Sequence, residues 1–284
     1  MYCCRTALSA AWQWQWWGAA CSGRVGGGVQ TNEKTDPQRS MLMLLLLMML
    51  HLVLTGAAFT PPPLLPLNEP DALHKAHSFS GSANWLIPGH VLLGANPTKG
   101  RGSCLDRVIA IRCEGGCNTF VSLQGEYPAF DSPQFPADVE CYADEACAVA
   151  DAPAKFLHYP IEDLRPAESI EWLASTVNEL AESIRGGDVL YVHCFAGRGR
   201  TGLIACCLLG LLYPELDAEE ALLRVGSYYK LRSGFGVASG RAADGMSPET
   251  LPQRQQVRDY FVETLQRGSA PEQATRDGSE EAFS

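Results

Sequence analysis

A cysteine followed six residues later by an arginine is the part of this sequence with the clearest chemical meaning. The segment 193–202 reads HCFAGRGRTG and follows directly on the apolar run 188–193, DVLYVH. Gly197 and Gly199 allow the backbone to turn tightly, so that successive amide N–H groups can point at one spot. A helix that begins near Arg200 would direct its positive end at the same spot. The sequence therefore predicts an anion site with a thiol at its edge.

The side chains of this segment suit phosphate chemistry. The positive field is expected to stabilise a thiolate on Cys194, which is the nucleophilic form of the residue. Arg200 can hold two phosphate oxygens at once, and Thr201 can donate its hydroxyl to the thiolate. The alternative is that a cysteine at a strand end has no chemical role and serves as a small apolar residue of the core. However, the combination of residues is more specific than any of its parts, and it lacks the endings typical of nucleotide-binding loops. We interpret the segment as a site that cleaves phosphoesters through a phosphocysteine.

The same segment resembles the signature loop of the protein tyrosine phosphatase superfamily, closest in style to the dual-specificity phosphatases, and the resemblance covers roughly residues 82–268. It implies a central sheet flanked by helices, Cys194 as nucleophile and Arg200 as phosphate ligand. His193 and Thr201 would be supporting residues. Neither a metal nor another cofactor is implied. The phosphate-binding residues that the resemblance implies are Phe195, Ala196, Gly197, Arg198, Gly199 and Arg200.

A carboxylate in the segment 158–166, HYPIEDLRP, could supply the proton that the leaving oxygen needs and could then activate water. Asp163 follows an apolar strand and lies 31 residues before Cys194. This segment resembles the general-acid loop of the family, so we expect Asp163 to be the acid. Glu162 is the alternative acid, and a structural role for Asp163 as a helix cap also stays open.

A third segment, 247–255 with the sequence SPETLPQRQ, resembles the glutamine loop that positions the hydrolytic water in this family. Gln253 matches the later glutamine of that pattern, whereas Glu249 stands where some members carry an earlier one. The alternative is that the segment is only a capping turn into the last helix.

The elements that would position these residues alternate between strands and helices. Apolar runs predict strands around 85–97, 119–123, 155–161 and 188–193. Apolar residues from Ile170 to Ile184 recur at steps of three and four, which is typical of an amphipathic helix. Such alternation predicts an α/β fold with a mainly parallel central sheet flanked by helices. We expect this phosphatase domain to span 81–268, with a disordered tail at 269–284.

Residues 1–80 are predicted to be a leader of low order, with an apolar targeting or anchor segment at 41–59. The run 41–54 is shorter than the roughly 20 residues of a membrane span and is followed by small residues, as in a signal peptide. Either translation begins at Met41, or the run is an anchor that extends through Phe59. The junction before Phe59 also resembles plastid-targeting signals of algae. The expected location is therefore secretory or plastid, and otherwise cytoplasmic, with membrane association only if the anchor is retained.

Composition limits the kinds of partner that the chain can bind. A net charge of −10 argues against a nucleic-acid partner, because a protein that binds nucleic acid requires a basic face. The 11 cysteines do not form a paired C-x2-C pattern, so no metal site is predicted. A disulfide between Cys141 and Cys147 could form in an oxidising compartment.

The substrate depends on the variable positions of the loop, Phe195 and Arg198. Phosphoinositide phosphatases of the tumour-suppressor type have a similar loop with lysines at both positions. Here Arg198 keeps one positive charge and Phe195 removes the other. Phosphotyrosine or phosphoserine/threonine in a protein is the first choice, a phosphoinositide the second and a phosphoglucan the third. A pseudophosphatase that only binds phosphoproteins is the alternative that is not an enzyme.

Overall fold

A computed structural model of the chain describes residues 59–100, 102–126, 142–150, 152–234 and 246–266. The chain divides into two compact units, Met1–Phe59 and Thr60–Ser284, and the description below concerns the second. The predictions for the apolar run 41–54, for a disulfide at Cys141 and for the tail 269–284 lie outside the described residues.

The described part of the second unit is built around one six-stranded sheet with the strand order β1-β2-β3-β6-β4-β5. The strands are β1 Ser78–Ser80, β2 Ala83–Ile87, β3 Val91–Ala95, β4 Thr119–Gln124, β5 Lys155–Ile161 and β6 Leu190–Cys194. Strands β3, β6, β4 and β5 are parallel, while β1 and β2 join antiparallel at one edge. The predicted α/β fold with a mainly parallel sheet is confirmed, and the antiparallel edge makes the sheet mixed.

Seven α-helices accompany the sheet in the described residues. They are α1 Pro70–His77, α2 Cys104–Ile109, α3 Tyr142–Ala148, α4 Ile170–Arg185, α5 Gly199–Leu212, α6 Ala218–Tyr229 and α7 Leu251–Tyr260. Helices α2 and α7 continue as π-helical turns, Ala110–Glu114 and Phe261–Gln266. Side-chain oxygens of Ser169, Asp217 and Thr250 cap the first turns of α4, α6 and α7, which explains why these helices begin where they do.

Helix α5 is the centre of the packing. It contacts α4, α6 and α7 as well as strand β6, and nearly all of its residues are buried. Its sequence is apolar on every side, as expected of a helix surrounded by protein. Cys206 and Cys207 are fully buried here, and burial raises the pKa of both thiols. They are core residues, as their position on an apolar helix predicts.

Two elements of the described chain, α1 and β1, lie before the boundary at residue 81 that the sequence suggested. Helix α1 and strand β1 belong to the second unit, and β1 pairs with β2. A proline-rich strap, residues 60–69, is held by its carbonyls: the Tyr213 hydroxyl donates to Pro62 O at 2.8 Å and Arg224 Nη1 to Leu65 O at 2.8 Å. Every residue has a backbone carbonyl, so a segment held through its carbonyls needs no periodic pattern of apolar residues. The sequence pattern therefore did not reveal this segment.

No helix in the described part of the chain has both the length and the apolar character needed to cross a membrane.

Candidate active site

The segment 194–200, called the phosphate loop below, joins the end of β6 to the start of α5. Strand β6 lies between β3 and β4, so the loop emerges at the middle of the carboxyl edge of the parallel strands. Ligands bind at this edge in open α/β sheets. Cys194 is the last residue of β6 and only 3% of it is exposed, so the candidate nucleophile is buried where the loop begins.

Carbonyl groups of the phosphate loop are held by hydrogen-bond donors that lie outside the loop. The acceptor and donor pairs are Cys194 O with His193 Nδ1 at 3.2 Å, Phe195 O with Asn96 N at 3.1 Å, Gly197 O with Arg232 Nη1 at 3.0 Å, and Arg198 O with Ser247 Oγ at 2.8 Å. In a planar trans peptide the C=O and the following N–H point in opposite directions. Carbonyls that are fixed outward therefore direct the amides that follow them toward the centre of the loop, where an anion would bind.

Gly197 has the backbone geometry that the loop requires. Its φ of 67° lies in the left-handed region that side chains rarely adopt. A Cβ atom at this position would lie 2.2 Å from Gly94 O on strand β3, which is closer than atoms can approach. Both constraints explain why the sequence has glycine here.

Two carboxylates hold the guanidinium of Arg200, which is 1% exposed. Glu126 accepts from it twice, with Oε2 at 2.5 Å from Nη1 and Oε1 at 3.1 Å from Nη2. Asp163 Oδ1 lies 2.8 Å from Nη2, and Ile161 O accepts from Nη1 at 3.1 Å. Partial burial opposes ionisation of Glu126, but the hydrogen bonds from Arg200 outweigh it and lower the pKa of this carboxyl.

The loop that follows β5, residues 162–169 and called the acid loop below, brings Asp163, and not Glu162, to the phosphate loop. Asp163 reaches Arg200 although its side chain is 65% exposed, while the Glu162 side chain is 80% exposed and lies 3.9 Å from Arg165. Leu164, the next residue, has a φ of 62°, a strained conformation for a side chain of this size. Backbone strain of this kind is concentrated at functional sites, and here it adjoins the candidate acid.

A family model described as a Swiss Army Knife protein, DSP-PTPase phosphatase domain (PTP-SAK), matches residues 81–221. This match spans the phosphate loop and the acid loop. The chain belongs to the protein tyrosine phosphatase superfamily, in its dual-specificity-like group. The fold is that of a dual-specificity-like phosphatase domain.

Individual known proteins are similar to this chain either over a short stretch of sequence or at low identity. A protein of Invertebrate iridescent virus 6, named "Putative tyrosine phosphatase 197R", is 38% identical over 71 residues, which are 24% of this chain and 26% of the viral protein. Tk-PTP in its active form has a TM-score of 0.44 at 21% identity and covers 64% of this chain and 97% of its own. PTPMT1 in complex with PI(5)P has a TM-score of 0.44 at 16% identity over 64% of this chain and 96% of its own. Human DUSP28 has a TM-score of 0.43 at 18% identity over 66% of this chain and 99% of its own.

His193 supports the phosphate loop of the phosphatase domain from below. Cys194 O can only accept, so Nδ1 of His193 carries a hydrogen and Nε2 accepts from the Tyr142 hydroxyl at 2.5 Å. Complete burial lowers the pKa of His193 to about 4. The ring is therefore neutral at neutral pH, in the tautomer that holds the carbonyl of Cys194.

Thr201 does not make the predicted hydrogen bond to Cys194 in this structure. Its Oγ1 is buried and has no hydrogen-bond partner among the described residues. An unpaired buried hydroxyl costs free energy, so a partner supplied by a ligand would stabilise it.

Gln253 takes part in a capping turn at the start of the last helix, which the sequence analysis gave as the alternative to a role in positioning water. Its side-chain carbonyl accepts from Thr250 N at 3.1 Å, which completes a capping box at the start of α7. Its side-chain nitrogen donates to Arg165 O on the acid loop at 3.0 Å. Gln253 therefore fastens the acid loop to α7 through both ends of its amide, and its role toward water stays a prediction.

Arg198 is turned into the protein, contrary to the expectation of a positive charge beside the substrate. It is 3% exposed, and its Nε donates to Met246 O at 2.8 Å while Nη1 lies 3.3 Å from Glu249 Oε1. The reason is that the segment before α7 packs against the phosphate loop and offers both acceptors. The guanidinium of Arg198 is thus bound by the segment before α7, and we expect its backbone amide rather than its side chain to face an anion in the loop.

Sequence reasoning missed Glu126 and Arg232. Glu126 follows β4, a parallel neighbour of β6, and a carboxylate just beyond such a strand is a signal that could have identified it. Arg232 follows α6 in no recognisable motif, so we find no sequence signal for its contact with the loop.

Proposed function

We propose that the chain is a hydrolase of phosphate monoesters that acts through a phosphocysteine on Cys194. The substrate is phosphotyrosine or phosphoserine/threonine in a protein. The observation that carries the proposal is a phosphate loop whose carbonyls are fixed outward around the buried Cys194, with the guanidinium of Arg200 held beside it.

In the first step the Cys194 thiolate attacks phosphorus in line with the ester oxygen. The S–P bond forms while the P–O bond breaks, and the leaving oxygen takes the bonding pair and a proton from Asp163. The products are a free alcohol or phenol and a phosphocysteine. Loop amides and Arg200 bind the remaining phosphate oxygens, so most of the catalysis comes from positioning and electrostatics.

In the second step water attacks phosphorus and the S–P bond breaks. Asp163, now a carboxylate, takes a proton from the attacking water, and the sulfur leaves as the thiolate. Inorganic phosphate then dissociates, and Asp163 holds the proton needed for the next cycle. The two steps balance without any other reactant.

The contact between Asp163 and Arg200 supports an order for these events. Asp163 Oδ1 lies 2.8 Å from Nη2 of Arg200 in the ligand-free chain. Substrate phosphate has to take over this donor, which releases Asp163 toward the ester oxygen. Glu126 can keep its two hydrogen bonds, because it binds the end of the guanidinium and leaves the Nε side to phosphate.

The rim of the site favours a protein substrate over a phosphoinositide. Phe195 is 40% exposed, with Lys99 Nζ 5.7 Å from its ring centroid. An apolar ring at the mouth suits a phenyl phosphate or a peptide side chain better than an inositol carrying further phosphates. Several extra phosphates would need more cations than Lys99, and Arg198 is already bound to Glu249.

The test is turnover of an aryl phosphate by the full chain, followed by phosphopeptides and phosphoinositides under the same conditions. We expect hydrolysis that vanadate inhibits, and Cys194→Ser should abolish turnover while still binding vanadate. A fully active serine variant would rule out the phosphocysteine. Vanadate binding without turnover by the wild-type chain would instead identify a phosphoprotein-binding pseudophosphatase, and preference for phosphoinositides would overturn the substrate class.

A further inference from the structure

We propose that Arg232 is a positioning residue for the phosphate loop, which fixes one of the anion-binding amides and adds a positive charge that no carboxylate of the described residues neutralises. The inference rests on the proposed function, because the amide and the charge matter only if the loop binds phosphate.

Arg232 lies just beyond α6 and is 3% exposed. Its Nη1 donates to Gly197 O at 3.0 Å, and its Nε donates to Asn84 Oδ1 on strand β2 at 2.6 Å. The guanidinium carbon lies 4.9 Å from the centroid of the Tyr229 ring. A residue held by a strand, a helix end and the loop itself has little freedom to move, so it can fix what it touches.

Arg232 contacts the peptide between Gly197 and Arg198, whose conformation can change easily because Gly197 has no side chain. Gly197 has a left-handed φ of 67°, and glycine can also adopt other conformations at little cost. If the peptide between Gly197 and Arg198 flipped, its carbonyl would point into the anion site and its N–H away from it. The hydrogen bond from Arg232 holds that carbonyl outward and so keeps the N–H of Arg198 directed toward phosphate.

The charge of Arg232 differs from that of the other two arginines at the loop. Arg198 pairs with Glu249, and Arg200 pairs with Glu126 and Asp163. Within the described residues Arg232 has only neutral acceptors, and its Nη2 is buried without a hydrogen-bond partner.

A buried charge of this kind is costly unless an opposite charge lies nearby. Burial lowers the pKa of Arg232 to about 10, so it is still a cation at neutral pH. The ionisable groups that face it are Tyr229, Tyr191 and Cys194. Burial raises the pKa of both tyrosines, which keeps them neutral. The thiolate of Cys194 and a phosphate bound above it are thus the anions that this cation can stabilise.

The sharpest variant is Asn84→Asp. It has nearly the same shape, keeps an acceptor for Nε and places a carboxylate against Arg232. We expect the Kd for vanadate, measured by calorimetry on the full chain, to rise by about tenfold. KM for an aryl phosphate should rise with it. Arg232→Gln should have the same effect, whereas Arg232→Lys, which keeps the charge, should restore most of the affinity.

Arg112 offers the matched control. It is also buried, and it donates to the carbonyls of Ala146, Cys117 and Ala152 in another part of the domain. Arg112→Gln should lower the melting temperature and leave the Kd for vanadate unchanged. If Asn84→Asp and Arg232→Gln also lower only the melting temperature, with Kd within about twofold of wild type, Arg232 is merely structural and the inference is wrong.

Binding and turnover separate this inference from the proposed function. A wild-type chain that binds vanadate through Arg232 but hydrolyses no phosphoester would overturn the proposed enzyme and leave the role of Arg232 standing. A wild-type chain that binds no vanadate would overturn both. Because Asn84→Asp makes a small change, a folded variant that tests the charge is expected, and Arg232→Lys shows whether the charge alone restores binding.

Discussion

Glu126 and Asp163 share one guanidinium but are placed for different tasks. The Glu126 side chain is 37% exposed and makes two hydrogen bonds to Arg200, whereas the Asp163 side chain is 65% exposed and makes one ion pair. A carboxylate that is held twice and partly buried is suited to orienting Arg200. One that is held once and exposed can leave when phosphate arrives. The contacts of Arg200 thus support the proposed division between Glu126 as the orienting carboxylate and Asp163 as the proton donor.

Replacing Glu126 with Gln should weaken catalysis without removing any reacting group. The amide cannot accept twice from Arg200, so the guanidinium loses its fixed orientation and we expect kcat/KM to fall by roughly ten- to a hundredfold. Steady-state assays with an aryl phosphate would measure this loss. Glu162→Gln, which changes an exposed carboxylate of the acid loop, is the control. Equal activity of the two variants would mean that Glu126 does not orient Arg200.

Replacing Asp163 with Asn should remove the proton donor and, at the same time, the carboxylate that competes with phosphate. Rates for poor leaving groups should fall by about a hundredfold or more, because general acid catalysis is worth that much, while good leaving groups need little help. The Kd for vanadate should not increase. A series of aryl phosphates with different leaving groups would show the trend. An equal loss for all leaving groups would remove Asp163 from the role of acid.

At the scale of elements, helix α7 fastens the acid loop. The Thr250 hydroxyl donates to Leu164 O at 3.3 Å, and Gln253 donates to Arg165 O at 3.0 Å. Gln256 both donates to and accepts from the backbone of Ala167. The segment just before the helix also reaches the phosphate loop, where Ser247 donates to Arg198 O. One element therefore sets the distance between the acid and the nucleophile.

Gln253→Ala should test this coupling. It removes the capping box and the bond to the acid loop, so we expect a loss of about 1 kcal/mol in the free energy of unfolding and a lower kcat with little change in KM. The exposed neighbour Gln255, which contacts Asp259 on the same helix, provides the control variant Gln255→Ala. Should both variants unfold at the same denaturant concentration and turn over equally, α7 would not position the acid loop.

The sequence was most informative where chemistry depends on neighbours along the chain. Cys194, Arg200 and the strand–loop–helix around them could be predicted, because their relation is local. The contact between Glu126 and Arg200 joins residues 74 apart, and it follows from the placement of β4 beside β6. Arg198 was misjudged for the same reason, since its carboxylate partner Glu249 is 51 residues away. A loop arginine gives no local sign that it will be buried.

At the scale of the whole molecule, the buried His193 couples stability to pH. Its pKa is lowered from 6.5 to about 4 by burial, so the unfolded chain binds a proton that the folded chain does not. The free energy of unfolding is therefore largest above pH 6.5 and falls as the pH drops toward 4. Burial also lowers the pKa of His77, which acts in the same direction.

Between pH 7 and pH 5 we expect the loss due to His193 to be about 2 kcal/mol. Urea denaturation of the full chain at several pH values within this interval would measure it, where most carboxylates stay ionised. A free energy of unfolding that is constant across the interval would show that His193 is protonated as easily in the folded chain as in water.

The strap at residues 60–69 would limit where the predicted leader can be removed. A cut at the predicted junction before Phe59 would leave Pro62 and Leu65, the acceptors for Tyr213 and Arg224, in place. A protease that cleaved beyond Leu65 would remove the acceptors of Tyr213, just after α5, and of Arg224 on α6, although every residue of the phosphate loop would remain. Removal of the predicted leader could thus destabilise this domain without altering its active site, if the cleavage also removed the proline-rich residues up to Leu65.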